Sequence, residues 1–172
     1  GNPQYRQCKF DGNSAAFGGG SYAFASTIIA NCSYIGNTAT SLGGGIYAVV
    51  NINMYNNTFR NNSAVTNGNA LYYQSGGSNR LFNSIVWGNS SNALIGATIT
   101  HSIIEGGFAG TGNLNVDPLF VAPVAFASAP TSSGNYRLQD NSPAVDAGSN
   151  TAVPVDSYDL NDNASTIDEA PD

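Results

Sequence analysis

Charge is what this chain has least of. Charged residues make up 9% of 172 positions, against about a quarter in ordinary globular domains. There is one lysine, Lys9, with four arginines and one histidine, His101. Five scattered cations on a chain of net charge −6 make no basic patch, which excludes a nucleic-acid partner and argues against an anionic membrane surface. No apolar run approaches the length of a membrane span, so no insertion into a bilayer is read from these residues. No signal peptide is visible at Gly1. Cysteine is scarce too: Cys8 and Cys32 have no neighbouring histidine, which argues against a zinc site. Nothing is long and periodic enough for a helix, and the abundant Asn, Ser and Gly weaken helices.

What is there is a repeat. Cys8-Lys9-Phe10-Asp11-Gly12-Asn13 returns as Cys32-Ser33-Tyr34-Ile35-Gly36-Asn37 and as Asn57-Thr58-Phe59-Arg60-Asn61-Asn62. A second phrase keeps step: Gly18-Gly19-Gly20-Ser21-Tyr22, Gly43-Gly44-Gly45-Ile46-Tyr47, Gly68-Asn69-Ala70-Leu71-Tyr72. A fixed period of this size marks a stack of like units, each too small to bury a core alone. Each unit alternates polar and apolar residues over short stretches, the pattern of a strand, with Gly and Asn at the turns. An Asn- and Gly-rich chain could be a disordered tract, but regular aromatic positions give every repeat something to bury.

The expected fold is all-β: a right-handed parallel β-helix over residues 1–107, followed by a non-repeating capping segment over residues 108–172. In-register stacking predicts an inward column of Phe10, Tyr34 and Phe59, continued by Ile85 and Ile103, and another of Tyr22, Tyr47 and Tyr72. Asn13, Asn37, Asn62 and Asn89 are expected at corners, bonding backbone or one another. His101 is read into the column of Cys8, Cys32, Asn57 and Asn83, as a packed ladder residue and not a catalytic base. Prolines and acids concentrate after residue 108, and this part is expected to wrap the last coil and hide its open edge.

The terminal phrases carry a resemblance. Asn115-Val116-Asp117-Pro118-Leu119-Phe120-Val121, Gly134-Asn135-Tyr136-Arg137-Leu138 and Asn141-Ser142-Pro143-Ala144-Val145-Asp146-Ala147-Gly148 resemble the closing motifs of secreted bacterial parallel β-helix proteins. These are frequent in Bacteroidetes and often carry a "choice-of-anchor" sorting domain. The repeats are also similar to those of polymorphic outer-membrane proteins. The resemblance implies a secreted or cell-surface setting. It also implies a longer protein, because the family's closing phrases would begin where this chain stops, at Glu169-Ala170-Pro171-Asp172.

Four sets of residues merit attention. Stacked strands bring Cys8 and Cys32 about 4.8 Å apart, within disulfide range, or they are a ladder position that tolerates thiols. Arg137 and Asp146, rare charges in the terminal motifs, are expected to pair or to bond backbone. Asp159, Asn161, Asn163 and Asp168 offer alternate oxygen ligands for calcium, yet Ala170 stands where a bidentate acid belongs, so a solvated acidic loop is the competing reading. A polysaccharide lyase or hydrolase needs clustered or paired acids. The repeats hold only Asp11 and Glu105, and Arg6, Arg60 and Arg80 are read as lying outside their column.

The function expected is therefore a non-catalytic extracellular stalk or adhesin-like surface protein, with glycans or another cell-surface component as partner. The alternative is a carbohydrate-binding or lyase-like protein, since Asn, Thr, Ser and exposed Tyr along a face can bond and stack on sugars. Ice binding is more remote, because Thr38-Ala39-Thr40 and Thr98-Ile99-Thr100 do not repeat in register.

Overall fold

The computed structural model describes residues 3–74, 79–89 and 93–152. It is a β-solenoid. The first coil holds β1 (Gln4–Arg6), β2 (Lys9–Asp11), β3 (Ser14–Phe17) and β4 (Ser21–Ala23). The second repeats them as β5 (Thr27–Ala30), β6 (Ser33–Ile35), β7 (Thr38–Leu42) and β8 (Ile46–Ala48). The third has β9 (Ile52–Tyr55), β10 (Thr58–Arg60), β11 (Ser63–Ala64) and β12 (Leu71–Tyr73). Two reduced coils follow: β13 (Arg80–Phe82), β14 (Ile85–Trp87) and β15 (Leu94–Ile95), then β16 (Thr98–Thr100) and β17 (Ile103–Ile104). Every pairing among these strands is parallel and joins like positions of adjacent coils.

Parallel registration puts like on like, and the core is built from columns. Tyr5, Ile29, Met54, Leu81 and Ile99 form one. Phe10, Tyr34 and Phe59 form the next, their rings stacked at 4.6 and 5.0 Å and within 8° of parallel. That column continues through Val86 and Ile104, not Ile85 and Ile103. The correction follows from counting along the corner: Ser84 to Asn89 spans the same distance as Cys8 to Asn13, so the extra residue of the fourth coil lies before Ser84.

Tyr22, Tyr47 and Tyr72 do pair in register, but they point outward. Their neighbours Ile46, Ala48, Leu71 and Tyr73 enter the core cluster, which leaves the alternate residues on the outer face. The tyrosine rings stack on each other there, at 5.0 and 5.5 Å.

The glycine clusters have a steric reason. A Cβ on Gly44 would overlap the carbonyls of Ser63 and Asn69 in the coil above. The chain turns so tightly here that only hydrogen fits between coils.

The terminal segment does more than sit on the last coil. Residues 111–115 do add to it: Leu114 bonds Ser102 and Ile104, and His101 N–H donates to Thr111. The chain then folds back along the flank of the solenoid as a strap, with β18 (Phe120–Ala122) antiparallel to β19 (Asn135–Leu138). Thr131 reaches the second coil, where its N–H donates to Gly36 O at 3.0 Å. The strap returns to the fourth coil, where Ser149 meets Asn83.

Candidate functional site

The corners explain most of the polar sequence. Gln7, Asn31, Asn56, Asn83 and His101 all take φ between +50° and +55°. This left-handed turn lifts the next residue's N–H out of the strand ladder, and a buried N–H needs an acceptor. The next coil supplies it from a side chain. Cys8 N donates to Cys32 Sγ (3.4 Å), Cys32 N to Asn57 Oδ1 (2.9 Å) and Asn57 N to Ser84 Oγ (3.0 Å). Ser84 N donates to Ser102 Oγ and Ser102 N to Asn113 Oδ1, both at 3.1 Å. The column is thus Cys8, Cys32, Asn57, Ser84, Ser102 and Asn113. Asn83 and His101 stand one place earlier than expected, at the turn itself.

Cys8 and Cys32 are free thiols and serve this column. Each donates back to the carbonyl two residues before it, at 3.2 Å, as the hydroxyls of Ser84 and Ser102 do. Burial pushes the Cys32 thiol up to about 11, so it is protonated at neutral pH.

The second corner carries the asparagine ladder. Asn37 Oδ1 accepts from the backbone and side-chain amides of Asn13, both at 3.0 Å. Asn62 does the same for Asn37 at 3.1 and 2.9 Å, and Asn89 for Asn62 at 2.9 Å twice. Each Nδ2 then donates to a strand carbonyl: Asn37 to Phe10, Asn62 to Tyr34, Asn89 to Phe59, at 2.6 to 2.8 Å. The amides of Asn37 and Asn62 are satisfied entirely inside the protein.

The strap covers two charges of one row, Asp11 and Arg60. The register sets Asp11, Ile35 and Arg60 in one line, followed by Trp87 and then Glu105. Arg60 therefore does share a column with both acids, contrary to expectation. Its place two before the ladder asparagine matches that of Asp11, a signal the sequence carried. Arg60 lies 5.9 Å from the Phe120 ring centroid, and Asn61 Nδ2 donates to Val124 O at 2.9 Å. Tyr136 Oη accepts from Asn61 at 3.3 Å and donates to Ser133 O at 3.2 Å. Asp11 Oδ1, Arg60 Nε and Asn61 Oδ1 are buried there without partners. Burial raises the pKa of Asp11, against a smaller opposing pull from Lys9, and burial raises Tyr136 as well.

This row is poorly spaced for chemistry on a sugar chain. Asp11 and Glu105 stand four coil steps apart, about 19 Å at the usual strand spacing. The paired acids of glycosidases lie within about 10 Å. Glu105 Oε2 accepts from Gly88 N at 2.7 Å and is exposed. Among the described residues no group of three or more His, Cys, Asp or Glu is placed to hold a metal ion. The calcium candidates Asp159, Asn161, Asn163 and Asp168 lie outside the described residues.

Arg137 and Asp146 do not act as a buried pair. Both are exposed, and no salt bridge joins them. The Arg137 backbone is engaged locally, its N–H donating to Asn135 Oδ1 at 3.1 Å. Asp146 takes φ +55° in a turn, a conformation that short acidic residues tolerate better than most. The two threonine segments also stand on different sheets, β7 with β3 and β11, and β16 with β13. They make no shared flat face for ice.

Outside, the tyrosine column anchors a cluster of rings. Phe17 meets Tyr47 at 5.3 Å and 61°, and Phe24 meets Tyr22 at 6.4 Å and 46°. Tyr47 Oη donates to Gln74 Oε1 at 2.7 Å. Comparisons with protein-family models, curated proteins and solved structures returned no match. The described part has no helix long and apolar enough to cross a membrane.

Proposed function

We propose that this chain is a non-catalytic spacer: a stalk or adhesin-like section of a larger secreted or cell-surface protein, with glycans or another surface component as its partner. The observation that carries the reading is where the polar chemistry goes. The amides, thiols and hydroxyls of both corner columns bond the coils to one another. The two acids of the repeats, Asp11 and Glu105, are four coil steps apart, and a strap covers Asp11 and Arg60. A rigid rod that directs its functional groups inward suits spacing and presentation better than turnover. The resemblance of the terminal motifs to secreted Bacteroidetes-type proteins with a sorting domain supports the setting.

The test is a turnover assay of the folded chain on a broad polysaccharide panel, with and without calcium, scoring new reducing ends and unsaturated products. The reading predicts neither product. Turnover would overturn it and direct attention to Asp11, Arg60 and Glu105.

A further inference from the structure

We propose that the strip of rings on the outer face of the β4–β8–β12 sheet is a binding site for a neutral glycan chain. The inference rests on the glycan-partner reading above and gives that partner a place. Three rows form the strip. Phe17, Leu42 and Asn67 align along one side, and Tyr22, Tyr47 and Tyr72 along the centre. Phe24, Val49 and Gln74 follow the inward residues Ala23, Ala48 and Tyr73 and close the other side. Apolar rings fill the first-coil end, and the amide residues Asn67 and Gln74 stand at the third.

Ring geometry decides which residues would hold a ligand. Tyr47 has one face on Tyr22 and the other on Tyr72, so this ring cannot stack on a sugar. Phe17 and Phe24 each meet one tyrosine at an angle, 61° and 46°, and among the described residues stack on no ring face to face. They are 42% and 73% exposed, against 6% for Tyr47. The apolar C–H face of a pyranose fits such open rings, while its hydroxyls need the flanking phenol and amide groups.

Charge selects the class of ligand. From Gly12 to Phe59 the chain has no Asp, Glu, Lys, Arg or His at all, and residues 61–79 have none either. An acidic polysaccharide would find no cation here to pair with. Protein interfaces built on aromatic anchors are enriched in arginine, which the strip also lacks. An uncharged, hydroxyl-rich chain is the complement of this surface.

Affinity electrophoresis and calorimetry would test this with mixed-linkage β-glucan, galactomannan and dextran as neutral probes and polygalacturonate as the acidic one. At least one neutral probe should bind, with little dependence on salt. Phe17→Ala and Phe24→Ala should each weaken that binding by about two- to tenfold. Val65→Ala, at a side chain 79% exposed and outside the ring cluster, should leave it unchanged. Both phenylalanines are exposed, so unchanged circular dichroism and unfolding midpoints would show that the variants fold. Neutral-glycan binding that survives both substitutions would overturn the strip and keep glycans as partner. Binding of polygalacturonate alone, lost in salt, would also overturn it. If no neutral probe binds the folded protein, the strip and the glycan partner fall together. Turnover of any probe would instead sink the non-catalytic reading and leave the strip standing.

Discussion

The coils and the strap are held to the same solenoid in different ways. In the coils, Asn62 is satisfied by copies of itself: it serves Asn37 exactly as Asn89 serves it. In the strap each anchor is used once. Asn61 bonds Val124, Thr131 bonds Gly36, Asn83 bonds Ser149, and no two of these contacts repeat. Unmet buried atoms occur at the seam, as Asp11 Oδ1, Arg60 Nε and Asn61 Oδ1, and at single positions of the coils, as Tyr73 Oη and His101 Nδ1, whereas the repeated Asn37 and Asn62 amides leave nothing unmet. Repetition makes a buried polar column inexpensive, because solving one corner solves them all. A single-use contact has no such support. The strap should therefore open before the coils do.

The largest effects should come from breaking a column. Phe59→Ala removes a fully buried ring stacked on Tyr34 and should cost about 3–5 kcal/mol, seen as a lower urea midpoint for the whole molecule. The same change in the strap, Phe120→Ala, should release the strap and leave the far-UV spectrum of the coils in place. Asn62→Ala removes the acceptor of Asn37 N–H and of one Nδ2 hydrogen of Asn37, whose bond to Phe10 remains, and takes the side-chain donor from the Tyr34 carbonyl. At about 1–3 kcal/mol for each unmet group it should approach Phe59→Ala in severity.

Gly36→Ala sharpens the contrast. It forces a side chain into φ +61° and against the Thr131 carbonyl. It should cost about 1–2 kcal/mol and expose strap amides to hydrogen exchange while coil amides stay protected. The pH response should be smaller. Asp11 has its pKa raised in the folded state by burial, so its contribution to stability is complete below the ordinary carboxylate range and is lost as pH rises through the raised value. Acidification from neutral pH should tighten the strap through this group, and Asp11→Asn should stabilise the neutral protein and remove the effect. The smallest change is Cys32→Ser. Ser84 and Ser102 already make the same two bonds in that column, so the cost should stay within about 1 kcal/mol, whereas Cys32→Ala leaves Cys8 N–H without its acceptor.

Much of the fold was legible because repeats state each role several times. The Asn13–Asn37–Asn62–Asn89 phrases fix both the ladder and the register of the rings beside it. Where one place carried different residues, alignment slipped. Asn83 looks like Asn57 but occupies the turn, while Ser84 takes the inward place because its hydroxyl can both accept and donate. Alternation along a strand marks two faces without naming the inner one, which is why Tyr22, Tyr47 and Tyr72 were expected inside. The charged row was readable from spacing, since Asp11 and Arg60 both stand two before the ladder asparagine. The path of the strap was not, because no repeat encodes it and its partners lie far away in sequence, as Gly36 does from Thr131.

Native-state hydrogen exchange, read residue by residue, tests the account most directly. The buried corner amides Cys32, Asn37, Asn57 and Asn62 should exchange together, through global unfolding only. Thr131 and Ser149, in the strap, should exchange earlier through a separate local opening. Equal protection in the two sets, or corner amides that exchange before Thr131, would contradict the claim that repetition is what holds this molecule together.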